Sequence, residues 1–275
     1  MIYLLLAILC TVSISFLMRL SEKYIHHQLG MFLSNYFICI LFSFILIEGK
    51  MEFHDLRVFP IGVITGILYL VNFVFYKKNM VVNGIVLSST FMKLGVIIPT
   101  LMAILIFHEQ PKFNQMLGII LSIIAIVFIN YEKDSLSNGK NQIWLILLLL
   151  LSGFADGMMN IYDEIGILAS NDFYLMITFL SAFMITLGLI KFKKIKVTKI
   201  DLLFGAIIGI PNYLSSRFLL LALSQIPAVL VYPIYSVAAI VVTTVIGLCF
   251  FKEKLSMKKI TSIGLILIAL VLLNM

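Results

Sequence analysis

Residues 202–250 read LLFGAIIGIPNYLSSRFLLLALSQIPAVLVYPIYSVAAIVVTTVIGLCF. Two apolar runs, 202–223 and 227–250, follow each other across a three-residue polar break, and Arg217 carries the stretch's one charge. Each run is long enough to cross the hydrocarbon of a bilayer, which takes about 20 residues of helix. Two such runs in tandem mark a helical hairpin in a membrane.

The same pattern continues in both directions. Apolar runs fall at roughly 2–20, 31–47, 58–76, 82–107 and 113–130, then at 142–162, 173–190, 202–223, 227–250 and 259–274, so ten spans are expected. The whole composition agrees. Of 275 residues 62% are hydrophobic and 12% charged, with a mean hydropathy of +1.13, far beyond what a water-soluble core can bury. The first run, starting at Ile2, has no basic leader segment and no small-x-small cleavage site before Arg19, and is read as a retained helix.

The net charge of +7 does not signal a nucleic-acid surface, because the basic residues cluster in short gaps between runs. Fifteen Lys and Arg fall in the odd-numbered connections, including Lys191, Lys193, Lys194, Lys196 and Lys199, against Lys50, Arg57 and Lys112 in the even ones. By the positive-inside rule the odd connections face the cytoplasm and both termini lie outside, in a multi-pass protein of the cell membrane. The 191–199 cluster reads as a topological anchor, with contact to anionic lipid heads as the alternative. Cys10, Cys39 and Cys249 lie inside apolar runs, without spacing for a metal or a disulfide framework.

The longest polar stretch, 131–141, divides the chain into residues 1–130 and 142–275, with five spans each. Shifting the sequence by 144 positions lays Glu109 on Glu253, Asn130 on Asn274 and Tyr69-Leu70 on Tyr213-Leu214. An odd number of spans per half forces the second half to enter the membrane in the opposite sense. That is the inverted-topology repeat of many secondary transporters, whose substrate sites lie at mid-membrane between the repeats.

FHEQPKFNQMLG in the first half, and GIPNYLSSRFLLLALSQIPAVLVYP followed by FFKEKLS in the second, resemble the EamA-like branch of the drug/metabolite transporter superfamily. The likeness covers nearly the full chain. It is carried by a helix ending in Ala222-Leu223, a next helix with the early Pro233, and Glu109 and Glu253 closing the fourth and ninth helices. The first half departs from this pattern, with Ser89 where the register puts a proline, Pro99 ten residues later, and Lys93 between. The resemblance implies ten helices in two inverted repeats and a cavity lined by the first, third, fourth, sixth, eighth and ninth. It further implies a transported solute such as an amino acid, a nucleotide-like compound, choline or a drug.

A charge at mid-membrane is costly and normally faces a partner or a wet cavity. Lys93 and Asp156 stand near the centres of the fourth and sixth spans. They are read as holding a solute's acidic group and its amine or a coupling proton, with a structural ion pair as the alternative. Arg217, about six residues from the end of its span, is read as cavity wall or interfacial anchor. Tyr69, Asn72, Asn160, Asn212, Tyr213, Tyr232 and Tyr235 complete the candidate binding set, some serving only as bonds between helices. Pro99, Pro211 and Pro233 are the candidate helix breaks or gates.

Glu109 and Glu253 read as capping or solvated groups, and His26 and His27 as interfacial ones, since adjacent residues do not share a helix face. Gly62 and Gly66 make a small-xxx-small pair of the kind that packs helices. No metalloprotease or nucleotide-binding motif is present, so no cofactor is expected and a gradient would supply the energy. The function expected is secondary transport of a small amino-acid-like, zwitterionic or anionic solute by alternating access. A lipid or lipid-linked headgroup flippase of the same fold is the nearer alternative, and a membrane-embedded enzyme or a scaffold the more remote. The expected partners are the solute, the bilayer and a possible coupling proton, in an oligomeric state the sequence leaves open.

Overall fold

The computed structural model describes residues 1–47, 56–130, 139–165, 171–251 and, beyond these, 261, 264, 265, 268 and 272. Described secondary structure is entirely helical, as a bilayer demands, since a helix satisfies its own backbone donors and acceptors. In chain order the helices are α1 (Ile2–Ser21), α2 (Gln28–Leu46), α3 (Val58–Leu94), α4 (Ile97–Leu105), α5 (Phe113–Asn130), α6 (Gly139–Glu164), α7 (Asn171–Phe192), α8 (Lys199–Leu223) and α9 (Ala228–Phe251). Seven segments among the described residues have the length and apolarity to cross a membrane, and the apolar piece Phe91–Leu105 follows the third of them. The chain is an all-α, multi-pass membrane protein. The expected tenth span, 259–274, lies mostly outside the described residues, as does most of the expected linker.

One expectation changes. The third and fourth spans separate at Gly84 rather than at 77–81: helix continues past Lys77 and Lys78, and the two helices that make up α3 meet at a kink where Gly84 takes a φ of 79° that only glycine adopts without strain. The fourth span breaks instead at Gly95 and Val96, where a turn separates α3 from α4. Pro99 falls in the first turn of α4, so the missing N–H costs no helical hydrogen bond and the proline bounds a helix rather than kinking one. Pro211 and Pro233 lie inside α8 and α9, as expected.

Packing runs mainly between the two halves of the chain. α2 packs on α8 and α7, α3 on α6 and α7, α1 on α8 and α9, and α4 on α6 and α9. Exchanging α1–α4 for α6–α9 maps this pattern onto itself, as two halves related by a two-fold axis would.

The closest crossings use small residues. Gly62 and Gly66 of α3 press against Ile177, the Thr178 carbonyl and Ser181 of α7. Gly205 and Gly209 of α8 press against Met31, Asn35 and Ile38 of α2. Without side chains at these four positions the backbones approach closely, which supplies the dispersion contact that lipid does not oppose. Gly62 and Gly66 therefore pack the protein internally.

Polar side chains fix the helix ends. The Glu109 carboxylate, beyond α4, accepts the N–H groups of Ala228 at 3.0 Å and Val229 at 2.8 Å, capping α9. Asp201 completes a capping box with Thr198 at α8 and also accepts the N–H of His26 at 2.7 Å, ahead of α2. His27 caps α2 through Nδ1, which accepts the Leu29 N–H at 3.1 Å.

Candidate functional site

Midway along α1, α3, α6, α8 and α9 the side chains part around a cavity of about 80 Å³, room for several waters or a small polar group. Six of the sequence candidates line it: Tyr69 and Asn72 from the long arm of α3, Lys93 from beyond the bend, Asp156 from α6, Asn212 from α8 and Tyr235 from α9. The bend at Gly84 brings Lys93 to the same space as Tyr69 and Asn72. α3 thus supplies two walls of one cavity.

Lys93 is 7% exposed, and its ammonium sits 3.9 Å from the centroid of the Tyr235 ring. The negative face of that ring stabilises a cation that has left water. Asp156 faces the same cavity and is half-buried. The ion pairs recorded among the described residues are Arg19–Glu22, Lys77–Glu22 and Arg217–Asp172. Lys93 and Asp156 share this cavity, and no ion pair between them is recorded among the described residues.

Short hydroxyl side chains complete the lining. Thr11 Oγ1 lies 2.6 Å from Ser215 Oγ and also meets the Tyr235 hydroxyl, which lies 3.3 Å from Ser215. Tyr76 donates to Ser15 at 2.9 Å, and Ser152 and Ser216 stand on the opposite walls. Sequence reasoning passes over these residues, because serine and threonine are common in membrane helices and bond their own backbone. The one available signal is the four-residue spacing of Thr11 and Ser15, which puts both on one face of α1.

Four candidates lie elsewhere. Arg217 turns to Asp172 at the start of α7, with Nε at 2.9 Å from Oδ1 and Nη2 at 3.3 Å from Oδ2. Tyr213 donates to the same carboxylate. Asp172 went unmarked in the sequence because it stands near a span end, where a charge is unremarkable. Tyr232 is buried and donates to the Asp156 carbonyl at 2.9 Å, so it positions the helix that carries Asp156. Asn160, one turn beyond Asp156, is fully buried, and neither of its side-chain polar atoms has a hydrogen-bond partner.

Among the described residues no three His, Cys, Asp or Glu side chains gather to hold a metal. Cys39 is buried, with Sγ donating to the Gly209 carbonyl at 3.4 Å, while Cys10 is half-buried and Cys249 exposed.

Comparison with known proteins agrees with this architecture. Residues 1–131 match the model of the EamA-like transporter family, and residues 171–266 that of the Small Multidrug Resistance proteins. An uncharacterized protein of Haemophilus influenzae is 27% identical over 276 aligned positions, covering 96% of this chain and 93% of that protein. The uncharacterized membrane protein YvaE of Bacillus subtilis is 43% identical over 58 residues, 21% of this chain and 49% of that protein. A solved crystal structure superposes with a TM-score of 0.77 over 98% of this chain and 94% of that one; at 10% identity the likeness is one of fold. The resemblance to EamA-like transporters read from the sequence is thus matched over residues 1–131, while residues 171–266 are similar to Small Multidrug Resistance proteins.

Proposed function

We propose that this chain, EamA-like over residues 1–131 and similar to Small Multidrug Resistance proteins over 171–266, is a secondary transporter of a small zwitterionic or anionic solute. The solute enters the cavity between two five-helix halves of opposite topology, 1–130 and 142–275, which rock about it in alternating access. Lys93 takes the acidic group. Asp156 takes an amino group or carries a coupling proton. Asn72, Asn212 and the hydroxyls of Thr11, Ser15 and Ser215 orient the rest.

The observation that supports this reading is the pair itself: a nearly buried cation and a carboxylate facing one mid-membrane cavity without an ion pair between them. A structural pair would be closed, since two unpaired charges in low dielectric are costly unless the space between them is wet or filled.

The test is uptake into liposomes containing the purified protein, against a panel of amino acids, organic acids, amines and nucleosides. Saturable uptake lost in both Lys93→Ala and Asp156→Asn, with both variants eluting as folded protein, is the expected result. Uptake that survives both substitutions refutes the assignment of the pair. If no panel member moves while a fluorescent phospholipid changes leaflet, the protein is a flippase instead.

A further inference from the structure

A second, open hollow of about 690 Å³ lies between the α1–α2 connection and the middle of α3, near the lysine-rich ends of these helices. Tyr76 lines the central cavity and its neighbour Lys77 lines this hollow, and the two spaces share no lining residue. Lys23, Lys77, Lys78, His26 and His27 line it, against one carboxylate, Glu22.

That carboxylate is already engaged. Glu22 pairs with Arg19 at 2.5 Å and with Lys77 at 3.8 Å. Asp201, the acidic group nearest the α1–α2 connection among the described hydrogen bonds, is taken by the backbone N–H groups of His26 and His27 at 2.7 and 3.2 Å. Arg19 also donates to the Met80 carbonyl at 3.0 Å, and the buried Lys77 to the Met18 carbonyl and to Ser21 Oγ at 3.0 Å. Three lysines thus line a space that holds one carboxylate.

Lys23 and Lys78 are exposed, and Lys78 rests over the Trp144 ring with its ammonium 3.5 Å from the centroid. The exposed Val81 and Val82 form the apolar rim beside it. A wall that pairs apolar valines with ammonium groups, one of them resting on an indole, is characteristic of the membrane boundary, where anionic head groups gather.

We propose that this hollow binds a phosphate-type anion, with Lys23 and Lys78 as its principal ligands. Such an anion presents three or more acceptor oxygens, which matches a ring of ammonium donors better than a single carboxylate does. It reaches the hollow either from solution or as the head of an anionic lipid. The site is separate from the central cavity, and its failure would leave the transport reading untouched.

Trp144 is the chain's single tryptophan and lies against Lys78, so its emission reports on the hollow. The full chain in phosphatidylcholine nanodiscs would be titrated with inorganic pyrophosphate, and parallel nanodiscs prepared with increasing phosphatidylglycerol, with calorimetry alongside. A saturable response to pyrophosphate in neutral lipid identifies a soluble anion. A response confined to phosphatidylglycerol identifies a head group, and either result supports the site. Lys23→Gln weakens the response about five-fold, whereas Lys191→Gln, an exposed lysine outside the hollow, changes it less than about two-fold. The proposal is overturned by an absence of saturable binding in both arms, or by equal losses in the two variants.

Discussion

The ammonium of Lys93 lies 3.9 Å from the centre of the Tyr235 ring, so α9 supports the cation that α3 brings into the cavity. The contact gives a prediction that separates the ring from its hydroxyl. A desolvated cation over an aromatic face is stabilised by about 2 kcal/mol, or about 30-fold in affinity. Tyr235→Leu should raise the half-saturation concentration of an acidic solute by about ten-fold or more. Tyr235→Phe should leave it within about three-fold, while lowering thermal stability through the lost contacts with Thr11 and Ser215. Uptake kinetics and a melting curve on the same preparations check both halves of the statement.

Arg217 and Asp172 hold α8 to α7 by a two-pronged bond away from the cavity. Asp172→Asn should cost about 2–3 kcal/mol of stability, because it removes the charge that accepts two bonds from a partly buried guanidinium. The affinity for solute should not move. A shift in half-saturation larger than the shift in melting temperature explains would place Arg217 in the transport path after all.

At Gly66 an added methyl group would collide with the Thr178 carbonyl, whereas at Gly188 it would meet nothing within 4 Å. Gly66→Ala is therefore expected to destabilise by about 1–3 kcal/mol. Gly188→Ala should be neutral or slightly stabilising, since it removes backbone freedom from a helix interior. Thermal denaturation in one detergent ranks the two.

Glu109→Ala removes the cap from α9 and should cost about 0.5–2 kcal/mol, with Glu109→Gln losing less because an amide oxygen still accepts. Because Glu109 follows α4 and caps α9, the loss should also raise hydrogen exchange at residues 228–231 before it does so elsewhere. Exchange that rises uniformly would show that the carboxylate does not hold this end.

Apolar run length locates α1, α2 and α5–α9 to within three residues, because a bilayer imposes one length on every helix that crosses it. The same logic misplaces the break after α3. Lys77 and Lys78 look like a loop to a hydropathy scan, yet Lys77 folds back on Met18, Ser21 and Glu22 at the end of α1 and lets the helix continue. A glycine in a run of small steps gives no sign that it will take a positive φ.

Within the site, charges at mid-membrane are legible as single residues, and Lys93 and Asp156 both line one cavity. Partnership is not. Nothing in the chain's order tells that Arg217 turns to Asp172, or that Glu109 reaches across 119 positions to Ala228, because both depend on how the helices are packed. The hydroxyl lining is hidden for a different reason: Thr11, Ser15 and Ser215 acquire a role only from the residues opposite them.

The kink at Gly84 brings the two helices of α3 onto one cavity. Residues 58–83 carry Tyr69 and Asn72 to the cavity and residues 85–94 carry Lys93. A flexible insertion after Gly84 should therefore shift Lys93 relative to Tyr69 and Asn72 in a way that no substitution inside the cavity can imitate.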